Sequence, residues 1–369
     1  MNGTEDKGKF RIDFKILSIL LLLAAIPVLL GSWWLFKGYE SAYLEMAGNN
    51  LSESADTALA YINSYLQNQI IVVAGLTEVP VVREAVKKGN LDLGKNLEEV
   101  RKAIPAMENR WPKLERNSPE LKAILDNEAS KFLRRYGATE KSFREIMVTD
   151  YLGRLVAATG KTSDYYQADE DWWRESYGDG RRGSVYVGDV TFDSSAKVYS
   201  LELAQPLVEN EGVTGVIKVI LDVQDIHSLI GSVRGGPSAT AALIHAKGTV
   251  ISAPGYSILD QATYPGTLEI LNARERGRRY FISSASAPSI FGLPDSRTLN
   301  NFRELYPHLN WMLVVTGTVK EMLGPLPLLH RYFAALVVGI IVLTVLAALI
   351  LSRVETRPVL EQDPHLERL

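Results

Sequence analysis

The sequence predicts an α+β chain: a long N-terminal stalk helix leads into two stacked antiparallel-sheet modules, flanked by two transmembrane helices. Three observations predict it. Apolar blocks at 14–36 and 332–351 carry no charge beyond Lys15, a three-four apolar spacing runs through 39–73, and short β-rich runs separated by glycine-bearing turns begin at Glu145 and recur after Gly235-Gly236-Pro237.

The first block, from Phe14 to Phe36, supplies about 20 apolar residues, which at a 1.5 Å rise cross a hydrocarbon core of about 30 Å. Pro27 is tolerable in a membrane helix. Trp33 and Trp34 fall at the outer edge, where indole rings favour the interface. The alternative is a cleaved signal peptide, but the stretch is long for one and no Ala-x-Ala site follows it. Lys7, Lys9, Arg11 and Lys15 precede this block, and Arg353 and Arg357 follow the second. The positive-inside rule puts both termini in the cytoplasm, with His330 and Arg331 the only basic blemish on the far side. The predicted order is a cytoplasmic N-terminus at 1–13, a span at 14–36, an extracytoplasmic domain at 38–329, a span at 332–351 and a short cytoplasmic tail at 352–369. This is a two-pass protein of the inner or plasma membrane, its large domain periplasmic or extracellular.

The stalk occupies 38–78. Leu44, Ala47, Leu51, Ala55, Ala58, Ile62, Tyr65 and Gln69 keep a three-four spacing that suits a coiled-coil-like seam, so a homodimer is expected. The same stripe could instead pack on its own domain. Residues 78–145 read as further helices, one of them opened by Asn117-Ser118-Pro119. From Glu145 to Asp222 four or five antiparallel strands follow, the first two joined by TyrLeuGlyArg. The strand-turn-strand unit at 150–159 has a weak echo at 244–253, which divides the domain into modules at 79–235 and 236–329.

Composition excludes several classes. The 369 residues are enough for two modest cores, and a net charge of −3 without a basic arm gives no footprint for nucleic acid. Cysteine is absent, which rules out disulfides and thiol catalysis and is compatible with a periplasm. The five histidines at 227, 245, 308, 330 and 365 show no helical zinc spacing, and the acids between 164 and 193 lack the spacing of a calcium loop. No nucleophile elbow, phosphate loop or metalloprotease motif occurs, so no enzyme, metal or cofactor is expected.

The densest aromatic-acidic run is Tyr165, Tyr166, Asp169, Glu170, Asp171, Trp172 and Trp173. Concave sites combine aromatic walls with a few polar groups, and aromatic faces beside carboxylates suit cations. By composition the tryptophans read equally as core and the acids as a solvated loop. Tyr186 and Asp189 could close a pocket from the next strand, while Asp193 reads as a turn cap.

ValThrAspTyrLeuGlyArgLeuValAlaAlaThr at 148–159, SerAspTyrTyrGlnAlaAspGluAspTrpTrp at 163–173, AlaGlnProLeuValGlu at 204–209 and GlyValIleLysValIleLeuAsp at 215–222 come in the order of a known family. Over 39–329 the chain resembles a double Cache extracytoplasmic sensor domain of bacterial transmembrane receptors. The resemblance implies PAS-like sheets, a membrane-distal ligand-binding module, a membrane-proximal module, and a receptor that passes a small-molecule signal across the membrane. It places Tyr165, Tyr166, Asp169, Glu170, Trp172, Trp173, Tyr186 and Asp189 at the ligand. It also implies an output region after the second span. Residues 352–361 are similar to the start of a HAMP linker, so the expectation is either a truncated chain (the sensor half of a kinase, cyclase or chemoreceptor) or a separate cytoplasmic partner. Amino-acid-binding members share Tyr, four residues, Arg, one residue, Trp, Tyr, and a later Asp. Aligned on Trp172 and Trp173, Glu170 stands at the arginine and Ile220 at the aspartate. A cationic or neutral ligand is therefore expected, and a free α-amino acid is not. A structural or accessory membrane protein with a ligand-free domain is the competing reading.

Overall fold

The computed structural model describes residues 14–93, 97–193, 197–210, 212–236, 238–284, 287–324 and 326–354. The predicted cytoplasmic N-terminus at 1–13, and the linker-like tail from residue 355 on, lie outside the described residues. Five helices come first: α1 (Phe14–Thr77), α2 (Pro80–Leu93), α3 (Leu97–Arg110), then a 3-10 turn (Trp111–Lys113), α4 (Pro119–Leu125) and α5 (Glu128–Thr139). Then come β1 (Phe143–Thr149), β2 (Leu155–Ala158), α6 (Asp171–Tyr177), β3 (Tyr186–Val187), β4 (Thr191–Asp193), β5 (Val198–Glu209), β6 (Gly212–Asp222) and α7 (Gln224–Ser232). The second set is β7 (Thr240–His245), β8 (Thr249–Ser252), β9 (Asp260–Thr263), α8 (Thr267–Glu275), β10 (Tyr280–Ser283), β11 (Ser289–Gly292), α9 (Ser296–Leu305) and β12 (Trp311–Thr318). α10 (Val319–Met322) and α11 (Leu326–Val354) close the order.

The chain divides into two compact units, Ala47–Val319 and the remainder up to Met46 and from Lys320. In the latter, α1 and α11 expose large apolar side chains: Leu23 is 71% exposed, Trp34 71%, Tyr332 68% and Leu343 67%. Among the described residues no helix is long and apolar enough to cross a membrane. The side chains of 14–18, 20, 21 and 24 in the first apolar block, and of 348 and 351 in the second, lie outside them.

Within Ala47–Val319 two six-stranded antiparallel sheets form, ordered β2-β1-β6-β5-β3 (with β4 also on β5) and β10-β11-β12-β7-β8-β9. In both, the opening hairpin pairs through its first strand with the last strand of the set, so the echo at 244–253 reflects one repeated topology. The strand expected around Val185-Tyr186-Val187 is the short β3, whereas β4, β9 and β11 go beyond the sequence pattern, because three- to four-residue strands carry too little alternation to read.

Helix starts follow local chemistry. Ser118 is the extended N-cap of α4 with Pro119 in its first turn, and Asn127 caps α5 by accepting from Ser130 N–H at 2.9 Å. The stalk stripe is used differently from the expected seam. Leu51, Ala55 and Ile62 are 0% exposed, Ala47 and Ala58 are buried, and so is Gln69. α1 lies on both sheets: Ser52 donates to the Leu293 carbonyl at 2.7 Å, and Gln205 Nε2 donates to the Ile70 carbonyl at 2.6 Å. An apolar stripe covers whichever apolar surface reaches it, and here that surface is the chain's own pair of sheets. These six residues of the stripe are thus covered within the chain itself, while Leu44 and Tyr65 stay half-buried.

Candidate functional site

Register places Ala158, Met147, Lys218, Ala204 and Tyr186 side by side across the first sheet. Their face is covered by Trp172 and Trp173 from α6, Trp111 from the 3-10 turn and Leu121, Ile124 and Leu125 from α4. The loop before α6 is drawn in by the β1–β2 turn. Gly153 there has φ +83° and accepts at its carbonyl from Gln167 N–H at 2.8 Å, and a Cβ on it would stand 2.5 Å from that of Ala168. Glu108 of α3 holds the same loop, one carboxylate oxygen accepting from Tyr165 N–H at 3.0 Å and Tyr166 N–H at 2.8 Å.

Trp172 is 1% exposed. The Lys218 ammonium lies 4.7 Å from its ring centroid, and its indole N–H has no hydrogen-bond partner among the described residues. Lys218 also donates to Glu202 of β5 at 2.6 Å. Trp173 donates to Thr149 Oγ1 at 2.9 Å and stacks on Tyr177 at 4.4 Å. Tyr165 packs 5.5 Å from Trp111, and burial pushes its phenol up. Tyr166 is half-buried, its backbone bridged to Arg154. Tyr186 is half-buried beside His308, ring centroids 4.9 Å apart, and burial with the nearby Glu202 charge pushes its phenol up to about 12.

The acids do not gather round the tryptophans. Asp169 and Glu170 are exposed, and Glu170 is the N-cap residue of α6 without a side-chain cap bond. Burial and then the Asp164 charge push the Glu170 carboxyl up, against the pull of Lys218. Asp189 turns to the second sheet. It accepts from Trp311 Nε1 at 2.7 Å and lies 3.1 Å from His245 Nε2, so it joins the modules rather than lining the Trp172 site. Asp193 ends β4, and the turn it was expected to cap, 194–196, lies outside the described residues.

Two cavities flank the site. One of about 730 Å³ lies between α2, α4, α5 and β2, and one of about 330 Å³ lies beneath α3. Arg154 and Tyr165 line both. Arg154 is fixed by Asp150 at 2.7 Å and by the Gly89 carbonyl at 3.1 Å. Asp150 is fully buried, and burial pushes its carboxyl up despite that arginine. Sequence reasoning missed Lys218, Glu202, Glu108 and Arg154. Lys218 did leave a signal, a lone charge inside the apolar run ValIleLysValIleLeu, where a lysine is rarely buried without a partner. Chemically the arrangement offers the cations of Lys218 and Arg154, carboxylates at its edge, aromatic walls and an indole donor without a partner among the described residues, which is equipment for holding a small polar molecule. Among the described residues no group of three His, Asp or Glu side chains could hold a metal ion.

No protein-family model and no curated protein matches the sequence. Solved structures do. The ligand-binding domain of the Campylobacter jejuni chemoreceptor Tlp3 in complex with 4-methylisoleucine matches at 11% identity and a TM-score of 0.51, over 76% of this chain and 94% of that chain. The same domain in complex with L-norvaline matches with the same identity, coverage and TM-score. At this identity the likeness is one of fold: the chain shares the fold of that ligand-binding domain.

Proposed function

We propose that this chain is a sensor receptor whose first module binds a small molecule outside the cytoplasm and whose two apolar helices carry the signal across a membrane to a separate cytoplasmic partner. The observation that carries the binding proposal is Trp172, 1% exposed, with an indole N–H that has no partner among the described residues and the Lys218 ammonium over its ring. A buried donor without a partner costs free energy that a ligand acceptor would recover. Of the ligand classes the sequence leaves open, a neutral polar molecule fits better than a cation, because a cation would meet Lys218. The proposed residues are Tyr165, Tyr166, Trp172, Trp173, Tyr186 and Lys218, with Asp169 and Glu170 at the mouth. The Tlp3 domain is named with 4-methylisoleucine and L-norvaline. Here Glu170 and Ile220 stand where amino-acid-binding relatives carry Arg and Asp, which argues against a free α-amino acid. The mechanism is a population shift between two states, biased by the ligand's preference for one of them.

The full chain in phosphatidylcholine nanodiscs can be melted against L-norvaline, choline and a panel of neutral sugars and amides. A neutral compound is expected to raise Tm by an amount that Trp172→Phe reduces, with about tenfold weaker binding for one lost hydrogen bond. A rise with L-norvaline that Lys218→Gln and Trp172→Phe both leave intact would refute the ligand class and the site together. Reporter fusions at Gly8, Gly236 and Pro364 should read inside, outside, inside, and an outside signal at Pro364 would end the two-pass proposal. An accessory protein with a ligand-free domain is favoured by one observation: Trp111, Trp172, Leu121 and Leu125 already fill the covered face. A panel that never shifts Tm would leave that reading standing.

A further inference from the structure

The second module gathers positive charge that its own carboxylates do not answer. α8 ends in a Schellman turn. Gly277, at φ +63°, donates to the Arg274 carbonyl at 2.9 Å, and Arg278 N–H donates to the Ala273 carbonyl at 2.9 Å. This turn folds Arg278 back beside Arg274, and both line one cavity of about 20 Å³ floored by Ile270, Leu293, Leu299 and Met312. Pro294 and Ser296, at the start of α9, complete its rim. Arg303 of α9 does not line that cavity but lies within range of the Arg274 charge. Burial and then the Arg274 charge hold its guanidinium below the usual arginine range, and its Nε is buried without a partner among the described residues.

Neighbouring charges are handled otherwise. Arg279 is tied to Asp56 at 3.4 Å and to Ser52 at 3.2 Å, and Asp295 turns its carboxylate onto Arg297 N–H at 2.9 Å to cap α9. Among the described residues no ion pair involves Arg274, Arg278 or Arg303. The Arg274 fork donates instead to the Met312 sulfur at 3.3 Å. Arg274 and Arg303 each sit in the last turn of a helix, where the helix dipole favours a cation. That small gain does not offset a second guanidinium in a half-buried corner, because like charges repel more strongly as the effective dielectric falls. An oxyanion placed between the forks would, since two guanidinium N–H groups match two oxygens.

We propose that Arg274, Arg278 and Arg303 form an oxyanion site in the second module, one that takes the carboxylate or phosphate group of a small molecule. The cavity has room for about one water-sized group, so a single oxygen of the charged group enters it and the rest of the molecule stays at the surface. The site shares no residue with the Trp172 site and stands independently of it.

The test uses the full chain in phosphatidylcholine nanodiscs, melted with inorganic phosphate at an ionic strength held constant with chloride. Phosphate is expected to raise Tm. Arg274→Gln/Arg303→Gln should raise Tm without phosphate, because the repulsion is gone, and should abolish the phosphate response. A structural role for these arginines predicts the opposite sign in the absence of phosphate. Arg278→Gln changes an exposed side chain, keeps the fold, and should weaken phosphate binding at least tenfold. Arg116→Gln, whose partner is Asp126 in the other module, should keep the response. A parallel arm replaces part of the lipid with phosphatidylglycerol. A rise there that the double variant loses, with none from phosphate, assigns the oxyanion to a lipid headgroup, and a rise with phosphate assigns it to a free anion. No rise in either arm, or a rise that both the double variant and Arg278→Gln retain, overturns the proposal.

Discussion

The first module keeps a lysine beneath its covering helix; the second, at the matching place in the same strand order, keeps a methionine. Lys218 on β6 pairs with Met147, which pairs with Ala158, while Met312 on β12 pairs with Ile244, which pairs with Val250. Both rows face a core. Only the first has a carboxylate in the adjoining strand. Glu202 of β5 reaches Lys218, whereas β11 reads Ser289-Ile290-Phe291-Gly292 and offers none. One topology therefore tolerates a buried cation where the next strand can answer it and excludes one where it cannot. The second module's Arg274 and Arg303 stand instead on α8 and α9, outside the strand row.

The largest effect should come from moving the lysine. Met312→Lys buries an unpaired ammonium close to Arg274 and is expected to cost about 3–5 kcal/mol, read from urea unfolding. If it costs less than Lys218→Met, the comparison fails. Lys218→Met should itself cost about 1–3 kcal/mol, less than a fully buried pair because Glu202 keeps 31% of its side chain in solvent. Adding Glu202→Gln should recover most of that loss; a double variant as unstable as the single would mean that Lys218 acts by packing alone.

Trp311→Phe tests the tie between the modules. It removes the indole bond to Asp189 and, at a fully buried position, leaves a small cavity as well, so it should cost about 1.5–3 kcal/mol, and Asp189→Asn in the same background should add little further. Fully additive losses would show that the two side chains act separately.

The smallest effect concerns Glu170. Its folded carboxyl is raised above the ordinary 4.5, chiefly by burial, so the folded state holds the proton more tightly than the unfolded one. Stability then falls as pH rises from about 4.5 through the folded value. Glu170→Gln should flatten that slope, while a steeper slope in the variant would reverse the sign.

Much of this architecture was legible in the sequence because its periods are long. The α1 stripe, the ValThrAspTyrLeuGlyArg hairpin and the Gly215–Asp222 strand each repeat a pattern over enough residues to be read. The stripe's partner was not legible. Three-four spacing shows that Leu51, Ala55 and Ile62 face something apolar, and it is the same whether that surface is a second helix or the chain's own sheets. The aromatic run marked the covering helix, yet the acids beside it misled: Asp169 and Glu170 turn outward and Asp189 turns to Trp311, because loop carboxylates go to water or to the nearest donor. The charges that do touch the site, Lys218 and Glu202, come from different strands, and their proximity exists only once β5 and β6 pair. The arginine corner needed the Gly277 turn in the same way.

The strand order of each sheet also bears on how the chain is made. β1 pairs with β6 and β7 with β12, so the inner edge of each opening hairpin waits for the final strand of its set. During synthesis the apolar run Ile146-Met147-Val148 emerges long before its ladder partner and presents an open edge in the meantime. Such non-local closure slows folding, since loop entropy is lost before the contacts that repay it form. Each module is thus committed only at its last strand, and a nascent chain halted before Gly212 would carry an unfinished sheet prone to pairing with other chains.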